Sequence, residues 1–560
     1  MATPSGARGW GLGTTGWRRV ATWAIALTAL FAFRLMFGLS RELFFEDETQ
    51  IFLMGLRYFA TGAWPYFGAD VVWTDSQIPG ALQALLVGIP LHVAPIPEAP
   101  YVLINLMSMA ALAALAWYIK ARIPALPTWL VWGWLMTLPW TLHLSAHILN
   151  PSYLLAPSIA FFIGFFEAVP VFRLGKMPVP LAFGLMGAAT AWVIQIHMSW
   201  PLLLPYTALA WVTGWRVGSL RMAANAAGFV CGFLVFGVLL IPTVVVYGLH
   251  GGSGGTLRNL QPHPVSPWIA VTTLARLFSF ASLEIWRFIA IDDGKRWMLF
   301  LRHLWIVPLT AILWVVGTWQ PIWMLREWFR TRSPFAEWQP LKWLVAGTVV
   351  LVYASYWFVV VPPQAHAFYV VAPVAFIFAA YCWTFVDSPR WRRVAAVALG
   401  INVAFHAGLA WIQGPDQSLY RNREVLATAI RMKEPEMFSH RREFVVDGGP
   451  LTLQAPSRPY DRHRDVQFTD VQMTLGPRRV ALWTVTLRNT NLRVAFRDVL
   501  YRTSYLDPRG EIIEQRSNYI KDVYQPGAVT RLELNDGIFE KEFASTKIEM
   551  LDAEALLPIK

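Results

Sequence analysis

The sequence has few charged residues for its length. Only 15% of its 560 residues are Asp, Glu, Lys or Arg, whereas 56% are hydrophobic. Ordinary soluble domains carry about 25% charged residues, so this composition excludes an ordinary soluble class. The 29 Trp and 35 Phe residues point the same way, because aromatic side chains collect at bilayer interfaces. The composition is typical of a helical membrane protein that crosses the bilayer many times.

Cysteine is also scarce, with only Cys231 and Cys382, and both lie in apolar segments. The polar C-terminal region contains none, which excludes a disulfide framework there. We interpret both cysteines as thiols packed in the core, the usual setting of a free cysteine.

Nucleotide-binding and zinc-binding motifs are missing from the sequence. The run Gly251-Gly252-Ser253-Gly254-Gly255 lacks the lysine of a phosphate-binding loop, so we expect no nucleotide site. Acids are outnumbered, with 35 Asp and Glu against 47 Lys and Arg. We expect no nucleic-acid partner, because much of the basic excess lies in short loops between apolar runs. That pattern orients membrane proteins and contacts anionic lipid.

Apolar runs long enough for a bilayer helix predict about eleven spans, each of roughly 20 residues. They lie near residues 20–39, 99–119, 128–146, 152–171, 179–198, 201–215, 223–247, 303–325, 342–361, 367–386 and 394–412. The shorter, proline-flanked stretch 78–93 predicts an interfacial or re-entrant helix. Together, residues 20–412 predict an all-α membrane domain with helices lying on its outer face in loops 40–98 and 248–302.

Basic residues recur in alternate loops, which predicts the orientation of the protein. These residues are Lys120 and Arg122; Arg173 and Lys176; Arg216 and Arg221; Arg326, Arg330 and Arg332; and Arg390, Arg392 and Arg393. We therefore place the N-terminal tail, residues 1–19, in the cytoplasm ahead of an uncleaved signal anchor. The predicted location is the inner (plasma) membrane, with the C-terminal domain outside it, in the periplasm.

The C-terminal region has the alternating pattern of β-strands. Strands are predicted at 480–487, 499–506, 511–513, 530–534 and 546–551, with a turn at Asp507-Pro508-Arg509-Gly510. Several short strands with turn signals predict an extracytoplasmic β-sandwich over residues 435–560. Residues 413–434 predict a linker helix.

Three acids, Glu46-Asp47-Glu48, follow the first span directly. Charged side chains are costly in hydrocarbon, so the acids belong at the water interface. A carboxylate there can accept the proton of a hydroxyl or amine acceptor, as a transferase requires. The same residues are equally consistent with a solvated turn before a helix that starts near Thr49.

The downstream residues carry a family resemblance. The chain reads Glu46-Asp47-Glu48-Thr49-Gln50-Ile51-Phe52, then Arg57-Tyr58-Phe59, Thr61-Gly62-Ala63-Trp64-Pro65 and Gln77-Ile78-Pro79-Gly80. With its span layout, the region 20–410 resembles the GT-C superfamily of integral-membrane glycosyltransferases, in its protein O-mannosyltransferase and aminoarabinose-transferase branch. The resemblance implies a polyprenyl-phosphate-linked sugar donor, with Asp47 as general base and Glu48 assisting.

Two positions depart from the family pattern. Asn150 stands where members often carry an acid, so the requirement for a divalent cation (Mg²⁺ or Mn²⁺) stays open, and no cofactor is certain. Pro362 to Tyr369 stand where some members carry a lysine, which leaves the phosphate ligand open.

A lipid-phosphate leaving group requires cations near the interface. The candidate donor-phosphate ligands are Arg57, Arg258, Lys295, Arg296, Arg302, His303 and His366, with Tyr369 as a hydrogen-bond donor. Lipid-headgroup contact is the alternative for Lys295 and Arg296. Asp75, Asn150 and His197 are candidates for acceptor or other contacts, and a packed polar pair with Gln195 is the alternative for His197.

These observations predict an inverting glycosyltransferase. It would move a sugar from a polyprenyl-phosphate donor to an extracytoplasmic acceptor: a cell-envelope glycan, a glycolipid or a protein. Membrane lipid is a further expected partner. Two other classes stay open: a transporter or flippase for a lipid-linked or glycan substrate, and a non-catalytic envelope-assembly protein.

Overall fold

A helical unit, residues 1–419, and a strand-rich unit, residues 420–560, make up the computed structural model. The structure describes residues 14–40, 45–62, 64–71, 76–215, 219–248, 262, 264–290, 293–358, 365–413, 443–446, 449–452, 465–476, 479–491, 494–539 and 541–556. The predicted linker helix 413–434 lies almost wholly outside these residues.

Helices build the first unit. Its first nine α-helices are α1 Thr14–Ser40, α2 Phe45–Thr61, α3 Leu82–Val93, α4 Ala99–Arg122, α5 Thr128–Thr137, α6 Pro139–His143, α7 Leu155–Ala168, α8 Val179–Ile194 and α9 Leu204–Trp215. The later ones described are α10 Ser219–Gly237, α11 Ile241–Tyr247, α12 Trp268–Ser279, α13 Asp293–Arg302, α14 Ile306–Trp328, α15 Trp338–Ser355, α16 Ala372–Thr384 and α17 Pro389–Gln413. Short 3-10 helices lie at 150–154, 200–203, 282–284 and 365–371, among other places.

Eight helical segments of the described chain are long and apolar enough to cross a membrane. They are Val20–Ser40, Ala99–Arg122, Asn150–Ala168, Arg221–Tyr247, Ile306–Trp328, Trp338–Phe358, His366–Thr384 and Pro389–Gln413. The predicted spans at 128–146, 179–198 and 201–215 are instead shorter helices, α5 with α6, α8, and α9. The chain is a multi-pass membrane protein with a predominantly helical membrane domain.

Pro139 breaks the predicted span 128–146 into α5 and α6, because proline lacks the amide hydrogen that a continuous helix needs. Three consecutive carbonyls at the break are bound by side chains. The Leu135 carbonyl accepts a bond from the Thr141 hydroxyl at 2.7 Å, and the Met136 carbonyl accepts one from Arg34 at 2.8 Å. The Thr137 carbonyl accepts one from Asn402. Arg34 is thus a structural residue of the bundle, because a buried guanidinium requires hydrogen-bond acceptors of this kind.

Helices α8 and α10 pack at very close range through glycine. A Cβ atom on Gly232 would lie 1.9 Å from the Gly184 carbonyl oxygen, and one on Gly187 would lie 2.1 Å from the Phe229 carbonyl oxygen. Small residues permit such approach between membrane helices. The outward side of α10 exposes Cys231, so this thiol is not packed in the core as we had predicted, whereas Cys382 is buried.

The segment between α1 and α4 has its own secondary structure, which includes α2. Strands β1 Phe67–Val71 and β2 Ser76–Pro79 form an antiparallel hairpin, and α3 follows. Gln83 of α3 accepts a hydrogen bond from the Ala69 amide at 3.2 Å, and the Thr243 hydroxyl donates to the Tyr66 carbonyl at 2.5 Å. The predicted interfacial helix 78–93 corresponds to α3, which is largely buried.

The second unit is a β-sandwich. Its described strands are β3 Glu443–Val446, β4 Gly449–Thr452, β5 Val466–Leu475, β6 Val480–Asn489, β7 Ala495–Leu506, β8 Ile512–Ile520, β9 Val529–Ile538 and β10 Ser545–Leu556. Strand β6 lies between β5 and β9 in one antiparallel sheet, and β7 lies between β10 and β8 in another. Trp483 and Val485 of the first sheet and Tyr501 and Tyr505 of the second share one core. The predicted β-sandwich is confirmed.

Candidate active site

Helix α2 carries all three predicted acids, Glu46, Asp47 and Glu48, and its inner face is buried. The buried side chains on that face are Glu48, Ile51, Phe52, Leu56 and Phe59. Their spacing of three and four residues places them along one side of the helix. Asp47 belongs to the same helix, and the structure describes its backbone and not its side chain.

Glu48 is only 5% exposed and lies against a buried histidine. Its Oε1 atom is 3.4 Å from Nδ1 of His147, and it also interacts electrostatically with Tyr153. The His147 ring packs edge-on against Phe37 of α1, with 5.5 Å between ring centroids. A carboxylate buried this deeply requires such polar partners. Helix α2 is therefore tied at its start to the chain that joins α6 to α7.

Asn150 begins the 3-10 helix 150–154, directly after this chain. Its Oδ1 accepts a hydrogen bond from Nε2 of Gln83, which connects the segment to α3. Asn105 of α4 donates to the Ala146 carbonyl at 3.2 Å and fixes the same segment from the other side. Asn150 thus holds α3 through an uncharged amide.

A partly buried turn at the end of α12 gathers two arginines that the sequence analysis did not assign. We call residues 276–287 the arginine turn. Nε of Arg276 lies 2.8 Å from Oε1 of Glu284, and NH1 of Arg287 lies 3.9 Å from Oε2 of the same carboxylate. Burial lowers the pKa of Arg287, and Arg276 and Arg296 lower it further, against an opposing contribution from Glu284. The two arginines of the turn share one carboxylate, which leaves positive charge in excess.

The backbone of the arginine turn is strained. Phe280 and Ala281 have φ values of 50° and 62°, in the left-handed region that non-glycine residues rarely adopt. Both side chains are fully buried, and Phe280 stacks on Phe376 with 5.3 Å between ring centroids. Gly317 of α14 lies against Ser282, where a Cβ atom would be only 2.7 Å away. Such strain, held by surrounding packing, is common at functional sites.

His366 links the arginine turn to two other segments. It interacts electrostatically with Arg287 and Arg276, and His197 interacts electrostatically with it. Nδ1 of His197 accepts a hydrogen bond from the Ser199 amide at 3.1 Å. The 3-10 helix 365–371 that carries His366 also contacts the segments 150–154 and 200–203. Asn150 and His366 therefore lie on segments that meet near the arginine turn, and His197 precedes the third of these segments by three residues.

Several predicted ligands lie elsewhere. Arg57 is exposed on the face of α2 opposite Glu48, and Lys295 and Arg302 are exposed on α13. Tyr369 is fully buried, interacts electrostatically with Arg34 and packs on Trp140 at 5.2 Å between centroids. His303 is half-buried between α13 and α14. Arg258 and Asp75 lie outside the described residues. Arg296 lies beside the turn, with NH2 donating to the Ala290 carbonyl at 2.7 Å.

The described residues contain no group of three or more His, Cys, Asp or Glu side chains arranged to hold a metal ion. The side chains of Asp47 and Asp75 are not among those described.

No family model matches this chain. No curated protein matches it either. Among solved structures, the chain is similar to the crystal structure of ArnT from Cupriavidus metallidurans in the apo state, with a TM-score of 0.45 and 14% sequence identity. The similarity covers 76% of this chain and 80% of that chain. At this identity and score, the similarity says nothing about the residues of the site.

The structure adds four residues that sequence reasoning did not select: His147, Arg276, Glu284 and Arg287. A signal for the last three was present, because they are charged residues within the largely apolar stretch 268–290. The pairing of His147 with Glu48 joins residues 99 positions apart and has no local pattern.

Proposed function

We propose that the protein is an inverting glycosyltransferase that takes a sugar from a polyprenyl-phosphate donor and transfers it to an acceptor outside the cytoplasm. The observation that carries the proposal is the arginine turn, where Arg276 and Arg287 share the single carboxylate of Glu284. Partly buried arginines in excess of acid suit a phosphate that gains charge as it leaves. The 3-10 helix 365–371 contacts both this turn and the segment 150–154. That segment follows His147, which lies against Glu48, the residue after Asp47 on α2.

In this proposal Asp47 is the general base. Its carboxylate accepts the proton of the acceptor hydroxyl or amine as the nucleophile bonds to the anomeric carbon. The bond from that carbon to the phosphate oxygen breaks, and its electron pair stays on the phosphate, next to Arg276 and Arg287. One displacement inverts the anomeric centre. Glu48, held by His147, fixes the start of α2 and so the position of Asp47.

The test measures polyprenyl phosphate, the product that forms whatever the acceptor is. Purified protein in lipid nanodiscs is given short-chain polyprenyl-phosphate sugars together with an envelope extract as acceptor source, and products are followed by mass spectrometry. We expect Asp47→Asn to lower turnover by about 10²- to 10⁴-fold, the usual contribution of a general base. Glu46→Gln is the matched control, because it removes a neighbouring charge that the proposal does not use.

Equal turnover by Asp47→Asn and wild type would overturn the assigned base. Absence of donor cleavage by wild type across a panel of sugars would overturn the transferase assignment itself. In that case a flippase assay on the same nanodisc preparation, reconstituted into vesicles, tests the transport alternative.

A further inference from the structure

Helix α13 presents an apolar face to its surroundings just before a membrane-crossing helix begins. Trp297 is 67% exposed, Met298 43% and Leu301 75%. These positions are one, three and four residues apart, so they share one side of the helix. In the turn that follows, Leu304 is 70% and Trp305 42% exposed. We call these five residues the apolar face of α13.

Positive charge follows one edge of this face. Lys295 and Arg302 are both exposed and lie seven residues apart, which is close to two helical turns. The opposite side of the helix is turned toward the protein, where Arg296, Leu299 and Phe300 are partly buried. The helix is therefore amphipathic in three sectors: a protein-facing side, an apolar side and a cationic edge.

The position of α13 in the chain indicates that this surface lies at the bilayer interface. Only residues 303–305 separate it from α14, a 23-residue segment apolar enough to cross the membrane. The start of α14 lies at one end of that span, and its last turn, with Arg326, lies at the other. Helix α13 is thus at the level where hydrocarbon gives way to headgroups. Trp residues favour this level, and cations there reach lipid phosphates.

Arg296 connects this surface to the arginine turn. Its guanidinium donates to the Ala290 carbonyl at 3.2 and 2.7 Å and lies 5.9 Å from the centre of the Trp286 ring. It also pairs with Asp293 at 2.5 Å at the start of the same helix. Arg296 therefore connects α13 to residues 286–290, which include Arg287, so that restraining α13 also restrains this segment.

We propose that α13 is an interfacial helix that binds anionic phospholipid of the surrounding bilayer, with its apolar face among the acyl chains and Lys295 and Arg302 on the headgroup phosphates. This contact holds the arginine turn in place through Arg296. The helix has the composition of a membrane-surface helix, with aromatic and aliphatic residues on one side and basic residues beside them. The inference concerns the bilayer lipid and stands independently of the transferase proposal.

The experiment reads the lipid next to α13 directly. The full chain carries Cys231→Ser, because that thiol is exposed, and Leu301→Cys labelled with bimane; Cys382 is buried and stays. The protein is placed in nanodiscs of neutral phosphatidylcholine that contain a small fraction of spin-labelled lipid, with either a phosphatidylglycerol or a phosphatidylcholine headgroup. We expect strong quenching by both, and several-fold stronger quenching by the anionic lipid.

Lys295→Gln with Arg302→Gln should reduce the ratio of the two quenching constants to near one. The matched control, Arg390→Gln with Arg393→Gln, removes two exposed charges at the far end of the bundle and should leave the ratio unchanged. No quenching by either lipid would overturn the proposal, as would equal quenching in the unsubstituted background. Coverage of the face by a second copy, detected as oxidative disulfide crosslinking between two unlabelled Leu301→Cys chains, would also overturn it.

Discussion

A buried carboxylate and a buried imidazole meet where α2 approaches the chain after α6. Glu48 and His147 are 3.4 Å apart at their nearest atoms, and the His147 side chain is fully inaccessible to solvent. Groups buried this deeply lose hydration and need polar partners, and each of these two supplies one for the other. The geometry distinguishes the two ring nitrogens, because Nδ1 is the atom that faces the carboxylate.

Two isosteric substitutions test this pairing. In His147→Asn the amide nitrogen lies close to the original Nδ1 position, whereas in His147→Gln it lies nearer the Nε2 position. We expect the Asn variant to keep most of the turnover of polyprenyl-phosphate sugar and the Gln variant to lose about ten- to hundredfold, the effect of leaving a buried charge unsatisfied. Equal losses in the Asn and Gln variants would indicate that His147 only fills space.

Arg276 and Arg287 make a second prediction at the scale of single side chains. Each should contribute to binding of polyprenyl phosphate, the proposed product, because both face one acidic group in a partly buried turn. We expect Arg276→Gln to weaken this binding by about tenfold or more, as for the loss of a charge-assisted hydrogen bond. Arg276→Lys should be intermediate, because lysine keeps the charge and loses the planar fork. Arg390→Gln, at the other end of the bundle, is the control for net charge, and an equal loss there would contradict the assignment.

Helix pairing depends on where glycine permits two backbones to touch. Gly232 in α10 leaves no room for a Cβ atom beside Gly184, whereas Gly400 in α17 has nothing within 4 Å. The same substitution should therefore act in opposite directions. Gly232→Ala should destabilise by about 1–3 kcal/mol through overpacking. Gly400→Ala should stabilise by about 0.5–1 kcal/mol, because alanine is the better helix former.

Thermal unfolding of both variants in the same detergent measures this difference, and the sign of each shift is the result that matters. No decrease in the melting temperature for Gly232→Ala would contradict the close α8–α10 contact, and a decrease for Gly400→Ala would contradict the open space beside Gly400.

Elements with regular patterns could be predicted from the sequence, and elements with interruptions could not. Strands β6, β7, β9 and β10 lie where alternation indicated them. Strand β5 was missed because a bulge between Thr469 and Gln472, with Asp470 at φ 48°, breaks its alternation. The apolar run 128–146 looked like one span, because nothing in it shows that Arg34 and Asn402 bind the carbonyls freed at Pro139.

Only part of the candidate site could be predicted from the sequence. The acids of α2 could be located because they follow the first long apolar run. The charges of the arginine turn are visible in the sequence, but their meeting is not, since Arg276 and Arg287 become neighbours only when two left-handed residues, Phe280 and Ala281, reverse the chain. Lys295 and Arg302 were selected by charge, and the structure separates them from the turn by placing them on the exposed side of α13.

The two ends of the helical unit differ. At the end where the basic loops lie, Arg122 donates to the Tyr118 hydroxyl at 2.7 Å and lies 3.9 Å from Glu337. The Tyr118 hydroxyl in turn donates to Glu167 at 2.8 Å, and the Tyr381 hydroxyl donates to Glu337 at 2.5 Å. This buried network joins α4, α7, α15 and α16. Charged networks of this kind are costly to break, because each separated partner would be left buried and unpaired.

The buried network at the basic end and the candidate site at the other end predict access from one side only. A transporter would expose the same site to both sides in turn. We expect Asn150→Cys, in the Cys231→Ser chain, to react with a charged thiol reagent added outside intact cells and not with reagent confined to the cytoplasmic side. Arg173→Cys, in the basic loop after α7, should show the opposite pattern. Reaction of the Asn150→Cys variant from both sides would favour alternating access and so the transporter class. Reaction only from the inside would reverse the orientation that the basic loops predict.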